Sequence, residues 1–265
     1  MAVAPQLKPL DWPPIKVDTE VAPDQFRQMV ERVERNFRHM GETEPHWSVL
    51  STDKFLANNI GQTEAEFFES GKNPVQQLQA TAARAGIDLG AFTTCLELGC
   101  GLGRSTIWLA RVFRNVIGAD ISAPHLRMAA DIATRFERPN ISFLDVSDLS
   151  RLRTCPAFDA FFSIIVLQHN PPPIIHHLLT TILGRLKPGG IAYFQVPTYR
   201  LGYSFDAAKY LATPLKLGVP EMHVIPQLAL HTLIANAGCQ IVEMREDSAA
   251  AGDHISIRLF LRKAR

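Results

Sequence analysis

Apolar residues recur at helical intervals in the first third of the chain, then give way to short apolar runs alternating with helical stretches. From Asp24 onward, Phe26, Val30, Val33, Phe37 and Met40 share one face, with Pro23 and Asp24 as a start signal and Gly41 as a stop. Trp47 and Phe55 follow as exposed-looking aromatics, and a second helical region runs from Glu64 through Phe67 and Phe68. Residues 75–85 read as a third helix ended by Gly86. Ahead of these, residues 1–23 carry Pro5, Pro9, Pro13, Pro14 and Pro23 without periodicity, which predicts an extended arm, either partly disordered or laid over the domain.

Beyond residue 90 the pattern is strand, helix, strand, helix. Strands are predicted at 95–98, at 115–119 ending in Asp120, at 141–144 ending near Asp145, at 158–167 and at 191–196. Helices are predicted between them at 105–113, at 124–136 and from Pro171 through Leu186, with Lys187-Pro188-Gly189-Gly190 as the turn before the fifth strand. After an irregular stretch at 197–226 come a helix at 227–236 and two apolar strands at 240–245 and 255–262, joined as a hairpin. Such alternation predicts a parallel sheet whose right-handed crossovers gather the carboxyl ends of the strands along one ligand-binding edge. Asp120 and Asp145 fall on that edge, and the 197–226 insertion lies above it.

Composition narrows the class. With 265 residues and 46% hydrophobic content, the chain can bury one good core, as one domain with additions. Its 27 basic and 26 acidic residues leave a formal charge of +1, and its basic clusters are short, which argues against nucleic acid as a partner. Cys95, Cys100, Cys155 and Cys239 have neither metal-ligand spacing nor the density of a disulfide scaffold, so they read as reduced thiols of a cytoplasmic protein, with Cys95 in the core. The longest apolar run, near 160–167, is interrupted by Ser163 and is too short to span a bilayer. No membrane partner is expected.

The chemistry concentrates in Cys95-Leu-Glu-Leu-Gly-Cys-Gly-Leu-Gly-Arg-Ser-Thr106, a buried strand, a glycine loop and a first helical turn. Gly99, Gly101 and Gly103 permit positive φ and a close backbone approach to a ligand, while the amides opening the helix face the same crevice. A dinucleotide fingerprint needs a different third glycine spacing, and no Gly-Lys-Ser/Thr follows for a phosphate loop. The alternative is a tight turn with Glu97 paired to an arginine.

The order acid-x-Gly-x-Gly-x-Gly from Glu97 resembles motif I of the class I S-adenosylmethionine-dependent methyltransferases. Residues 158–169 resemble that family's motif IV, and the Lys-Pro-Gly-Gly turn resembles the one before its fifth strand. The resemblance covers about 90–262. It implies a Rossmann-like α/β fold with a mostly parallel seven-stranded sheet, an antiparallel last strand and an N-terminal helical cap. It divides the chain into an arm and cap at 1–89 and a cofactor-binding domain at 90–265, the 197–226 insertion lying on the acceptor side. It implies S-adenosyl-L-methionine as cofactor, with Glu97 near the ammonium group, Gly99, Cys100, Gly101 and Gly103 around the methionyl and ribose parts, and Asp120 accepting both ribose hydroxyls. Ile121, Val146 and Leu167 join this set. Asp145 or Asp148 receives the adenine amino group, Asp148 having a helix cap as its other reading. The helical prelude either covers the site or packs on the sheet flank.

Methyl transfer needs alignment and, for an oxygen acceptor, removal of a proton. Two histidines compete for that proton. His169 leaves the central strand, and His223 lies in the insertion behind Glu221; proximity alone is the third reading. His176 and His177 read as structural. No paired acids flank Gln168-His169, so no metal is expected and activity should survive a chelator. The expected acceptor is a small molecule, an oxygen of a glycan or secondary metabolite. A non-catalytic cofactor-binding scaffold and a nicotinamide oxidoreductase are the rivals, separated by turnover to S-adenosylhomocysteine and by dinucleotide competition.

Overall fold

A computed structural model describes residues 12–250 and 252–265. In chain order the elements are β1 (Lys16–Val17), α1 (Pro23–Thr43), α2 (Pro45–Val49), α3 (Ile60–Ser70), α4 (Lys72–Arg84), β2 (Thr94–Leu98), α5 (Thr106–Leu109), β3 (Asn115–Asp120), α6 (Ala123–Arg135) and β4 (Ile141–Asp145). They continue as α7 (Arg151–Thr154), β5 (Ala160–Ser163), α8 (Pro172–Arg185), β6 (Ile191–Arg200), β7 (Ser204–Phe205), α9 (Ala207–Ala212), α10 (Gln227–Asn236), β8 (Cys239–Asp247) and β9 (His254–Lys263). The main sheet has seven strands in the order β4-β3-β2-β5-β6-β9-β8. All neighbours from β4 to β6 pair in parallel, and β9 runs antiparallel to both β6 and β8, so the last strand of the chain is the antiparallel one.

Both faces of this sheet are covered, which is why its strands are near-continuously apolar. Leu96, Leu98, Phe161 and Phe194 pack on one face with α8 and α10, while Cys95, Phe162, Tyr193 and Phe260 alternate onto the other with α4 and α5. All four cysteines are free and buried. Phe55 is buried too, in edge-to-face contact with Phe67, and therefore corrects the exposed reading of that aromatic. His177 lies against Phe26, with ring centroids 4.8 Å apart.

Several boundaries differ from expectation for local reasons. Helix α1 passes through Gly41, where a Cβ would sit 2.8 Å from both His125 Nδ1 and Ser122 Oγ; the glycine permits close packing on α6 and is no stop. The helix ends because Pro45 disfavours helical geometry at Glu44 and opens α2. Helix α5 tightens after Leu109 into i to i+3 bonds, Arg111 N–H to Trp108 O and Val112 N–H to Leu109 O, so the predicted 105–113 helix is shorter. Strand β5 stops at Ser163, and β6 extends to Arg200 because β9 continues to pair with it across a bulge at Pro197.

Of the N-terminal arm, residues 1–11 lie outside the described residues, including Pro5 and Pro9. The rest is laid over the domain: Trp12 stacks on Tyr199, the Tyr199 hydroxyl donates to Pro13 O, and β1 pairs in parallel with β7. Among the described residues no helix is long and apolar enough to cross a membrane, and no group of three or more His, Cys, Asp or Glu side chains is placed to hold a metal ion.

Candidate functional site

A cavity opens where β2, β3 and β5 end, with about 880 Å³ of empty space counting its solvent-open mouth. One side is the loop after β2. Gly99 has φ of 72°, and a Cβ there would lie 2.3 Å from Val166 Cγ2, so both the backbone sign and the crossing chain require glycine. The N–H groups of Gly99 and Cys100 donate to Ala119 O at 2.7 and 3.1 Å, tying the loop to β3.

Asp120 ends β3 and lines the cavity. Its Oδ2 accepts from Gly101 N–H at 2.8 Å and its Oδ1 from Ser122 N–H at 2.9 Å. A carboxylate offers about four acceptor positions, so two remain after these bonds. Glu97, 4% exposed, also lines the cavity, and its Oε2 is buried without a hydrogen-bond partner. Burial pushes its carboxyl from 4.5 up to about 8, offset in part by the Thr106 hydroxyl and the Arg104 charge. Arg104 itself is buried on the same wall; it donates to Ser70 Oγ at 3.2 Å and leaves its Nε unpartnered. The cavity wall therefore holds an acid with one orphaned oxygen and an incompletely satisfied guanidinium.

The opposite wall is the chain leaving β5. Ile165 has φ of 61°, a strained conformation for a β-branched residue. What holds it is Gln195, fully buried on β6: its Oε1 accepts from Ile165 N–H at 3.0 Å, and its Nε2 donates to Gln168 Oε1 at 3.0 Å and Ser256 Oγ at 2.7 Å. Gln195→Leu leaves Ile165 N–H and Gln168 Oε1 without their partner, while Ser256 Oγ keeps Asp247, and is expected to cost about 2 kcal/mol of stability, read from urea unfolding; an unchanged midpoint would remove this amide from its structural role.

The helical prelude divides between its two expected roles. Val33 and Phe37 of α1 and Ser48 and Val49 of α2 line the cavity, whereas α4 packs on the sheet flank. Ser48 Oγ lies 2.8 Å from His125 Nε2, a buried pair joining α2 to α6 beside the cavity.

Of the two candidate bases, His169 lines the cavity and His223 does not. His169 Nδ1 donates to Glu221 O at 2.8 Å, so Nε2 carries the lone pair, with only a long 3.4 Å contact from the Gln168 amide. Burial holds its pKa below the usual 6.5, against the raising influence of the Glu221 carbonyl. His223 is buried and uses both ring nitrogens, Nδ1 with the Tyr203 hydroxyl at 2.9 Å and Nε2 with Glu221 Oε2 at 3.2 Å.

Glu97, Gly99, Cys100, Gly101, Asp120, Ile121, Val146 and His169 thus share one cavity. Gly103 lies behind the lining, closing the loop through its N–H to Cys100 O. Leu167 is turned into the core, fully buried. Asp145 and Asp148 each bond the backbone two residues on, at Ser147 and Ser150, and neither lines the cavity. Sequence reasoning did not select Arg104, Ser48, His125 or Gln195; only Arg104, directly after the glycines, carried a local signal.

Residues 95–190 match the family model described as a methyltransferase domain. A ubiquinone biosynthesis O-methyltransferase of Albidiferax ferrireducens is 29% identical over 103 residues, which is 38% of this chain and 39% of that protein. The chain thus spans about two fifths of that relative's length. Magnesium protoporphyrin IX methyltransferase from Synechocystis PCC 6803, with SAH bound, superposes with a TM-score of 0.62 at 17% identity, covering 89% of this chain and 99% of that one. The N-methyltransferase NodS from Bradyrhizobium japonicum WM9, in complex with S-adenosyl-L-homocysteine, gives 0.55 at 18% identity, covering 87% and 100%. Residues 95–190 thus match a methyltransferase domain, and the chain shares the fold of methyltransferases that are solved with S-adenosylhomocysteine bound.

Proposed function

We propose that the protein methylates an oxygen of a small molecule, a glycan or secondary metabolite, with the cofactor held by the β2 loop and β3 end and His169 as base. The observation that carries this reading is the convergence on one cavity of a buried acid with one unpartnered oxygen, a doubly anchored aspartate and a histidine whose Nε2 has only a long 3.4 Å contact. The residues fit the cofactor: Glu97 Oε2 suits its ammonium group, the buried Arg104 guanidinium its carboxylate, Asp120 its ribose hydroxyls, and the apolar Val146 and Leu149 its adenine face. When bound, S-adenosylmethionine supplies a methyl carbon activated by a sulfonium.

The chain's own part is alignment and one proton. Gly99 and Val166 bring the β2 loop against the β5 exit, Phe37 covers His169 from α1 with ring centroids 6.1 Å apart, and His169 Nε2 takes the acceptor's hydroxyl proton. His223 serves this reading as a neighbour of Glu221. The test is conversion of S-adenosylmethionine to S-adenosylhomocysteine with pooled hydroxylated metabolites. Acceptor-dependent product supports the reading; its absence, with cofactor binding intact, would favour the scaffold rival.

Glu97 gives this binding a pH dependence. Its carboxyl keeps a proton up to about pH 8 in the unliganded protein, and a cationic ligand group favours the carboxylate. Cofactor affinity should therefore rise with pH up to about 8 and fall below it by at most about tenfold per pH unit. An exposed glutamate releases its proton near 4.5, so the unliganded protein binds the extra proton in its native state and loses stability as pH rises from 4.5 toward about 8. Glu97→Gln should abolish the affinity slope; a slope unchanged in that variant would assign it elsewhere.

A further inference from the structure

Glu221 meets His169 through its backbone and three other groups, Tyr210, His223 and Arg32, through its side chain. Its Oε2 accepts from the Tyr210 hydroxyl at 2.7 Å and faces His223 Nε2 at 3.2 Å; its Oε1 lies 3.5 Å from Arg32 of α1. Arg32 is in turn stacked over the Tyr210 ring at 4.5 Å and donates to Thr213 O at 2.5 Å. Tyr203 fixes the far nitrogen of His223. Burial alone would raise the Glu221 carboxyl, but His223, Tyr210 and Arg32 outweigh it and hold the group below its usual range. The side chain is thus a charged knot that pins residue 221 between α1 and the insertion.

The backbone of the same segment is laid along the β5 exit. His223 N–H donates to Gln168 O at 2.7 Å, and Glu221 O accepts from His169 Nδ1 at 2.8 Å. A histidine side chain in water prefers its proton on Nε2, which would make that nitrogen a donor and leave it no lone pair. The carbonyl at 221 reverses that preference, because an acceptor on one ring nitrogen fixes the proton there. From the other side the Gln168 amide, held with its oxygen toward Gln195, presents its N–H to His169 Nε2 and favours the same tautomer.

The position of that carbonyl depends on where the side-chain knot holds the segment. A small cavity with room for no more than about one water lies between Glu221, Arg32, Phe37 and His169, so loosening the knot admits solvent that competes for Nδ1. We propose that Glu221 is a positioning residue for His169: anchored by Arg32, Tyr210 and His223, it holds the imidazole as the Nδ1-protonated tautomer, with the lone pair on Nε2, where the Gln168 amide makes only a long 3.4 Å contact. This rests on the reading of His169 as base, but its first test does not require turnover.

The measurement is the two-bond proton–nitrogen correlation spectrum of uniformly 15N-labelled protein at pH 8, in which the protonated ring nitrogen of each neutral histidine is identified. His169 is assigned among the nine histidines by its loss in His169→Gln. Wild type should show the Nδ1–H pattern. Glu221→Ala should move about half or more of the His169 population to the Nε2–H form or to exchange between the two, and Glu221→Gln, which keeps shape and an acceptor, should move less. A wild-type pattern in folded Glu221→Ala overturns the proposal, as does an equal shift in the two variants. Should Glu221→Ala fail to fold, Tyr210→Phe and Arg32→Lys carry the test: a shift in either supports it, and wild-type patterns in both overturn it. With an acceptor in hand, the alanine variant should lower kcat with little change in KM for S-adenosylmethionine. A shifted tautomer with unaltered kcat leaves the positioning intact and removes His169 as base.

Discussion

Substitution of His169 by glutamine is expected to lower acceptor-dependent turnover by about 10²- to 10⁴-fold while leaving cofactor affinity within about twofold. The general-base contribution sets that range. Glutamine keeps much of the volume beside Phe37 and can still donate to Glu221 O, so packing and the insertion's register survive while the proton acceptor is lost. The pH profile gives the sign. Burial holds the imidazole below 6.5, so His169 is neutral and competent at pH 7, and activity should fall as pH drops through a value below 6.5. That acid limb should vanish in the variant. His223→Gln is expected to cost less and to act through Glu221, whose carboxylate loses one partner. A wild-type rate and profile in His169→Gln, measured with any accepted substrate, would leave alignment as the whole mechanism.

Replacement of Asp120 by alanine should weaken S-adenosylhomocysteine binding by about 1.5–3 kcal/mol, or roughly 10- to 150-fold. Two losses combine. The ribose side loses a charged acceptor, and the N–H groups of Gly101 and Ser122 lose the carboxylate that fixes the loop and the start of α6. Asp120→Asn retains one oxygen and should fall between alanine and wild type. The control is thermal unfolding, since Asp120 is buried and its removal also loosens the glycine loop. Unchanged affinity in a folded alanine variant would remove this residue from the cofactor site.

The parts of the fold legible in the sequence were those set by short-range chemistry. The period of the apolar runs gave the succession of strands and helices along the chain, and the glycine loop with its flanking acids Glu97 and Asp120 fell together because they lie on adjacent strands. Where distant residues decide the geometry, the sequence was silent. The run at 158–167 looks like one long strand, but Gln195 draws Ile165 out of it from thirty positions away, and that places Val166 and His169 at the cavity while turning Leu167 into the core. Gly41 looks like a helix stop because its purpose, contact with His125 and Ser122, belongs to another helix. Spacing favoured His223, placed behind Glu221 in the insertion, over His169, but it is His169 that lines the cavity, while both ring nitrogens of His223 are held by Tyr203 and Glu221. Asp145 and Asp148 were equally close in sequence to the expected adenine edge, and both are occupied by turns that any Asx residue can make.

The central claim is that the cavity at the carboxyl edge of the sheet is an S-adenosylmethionine site. Calorimetric titration of S-adenosylhomocysteine into the full chain at pH 8, beside a titration of NAD, tests it most directly. The account predicts saturable one-to-one binding of the former that S-adenosylmethionine competes away, and no binding of the dinucleotide. No heat with S-adenosylhomocysteine, or saturable binding of NAD to the folded protein, would contradict it.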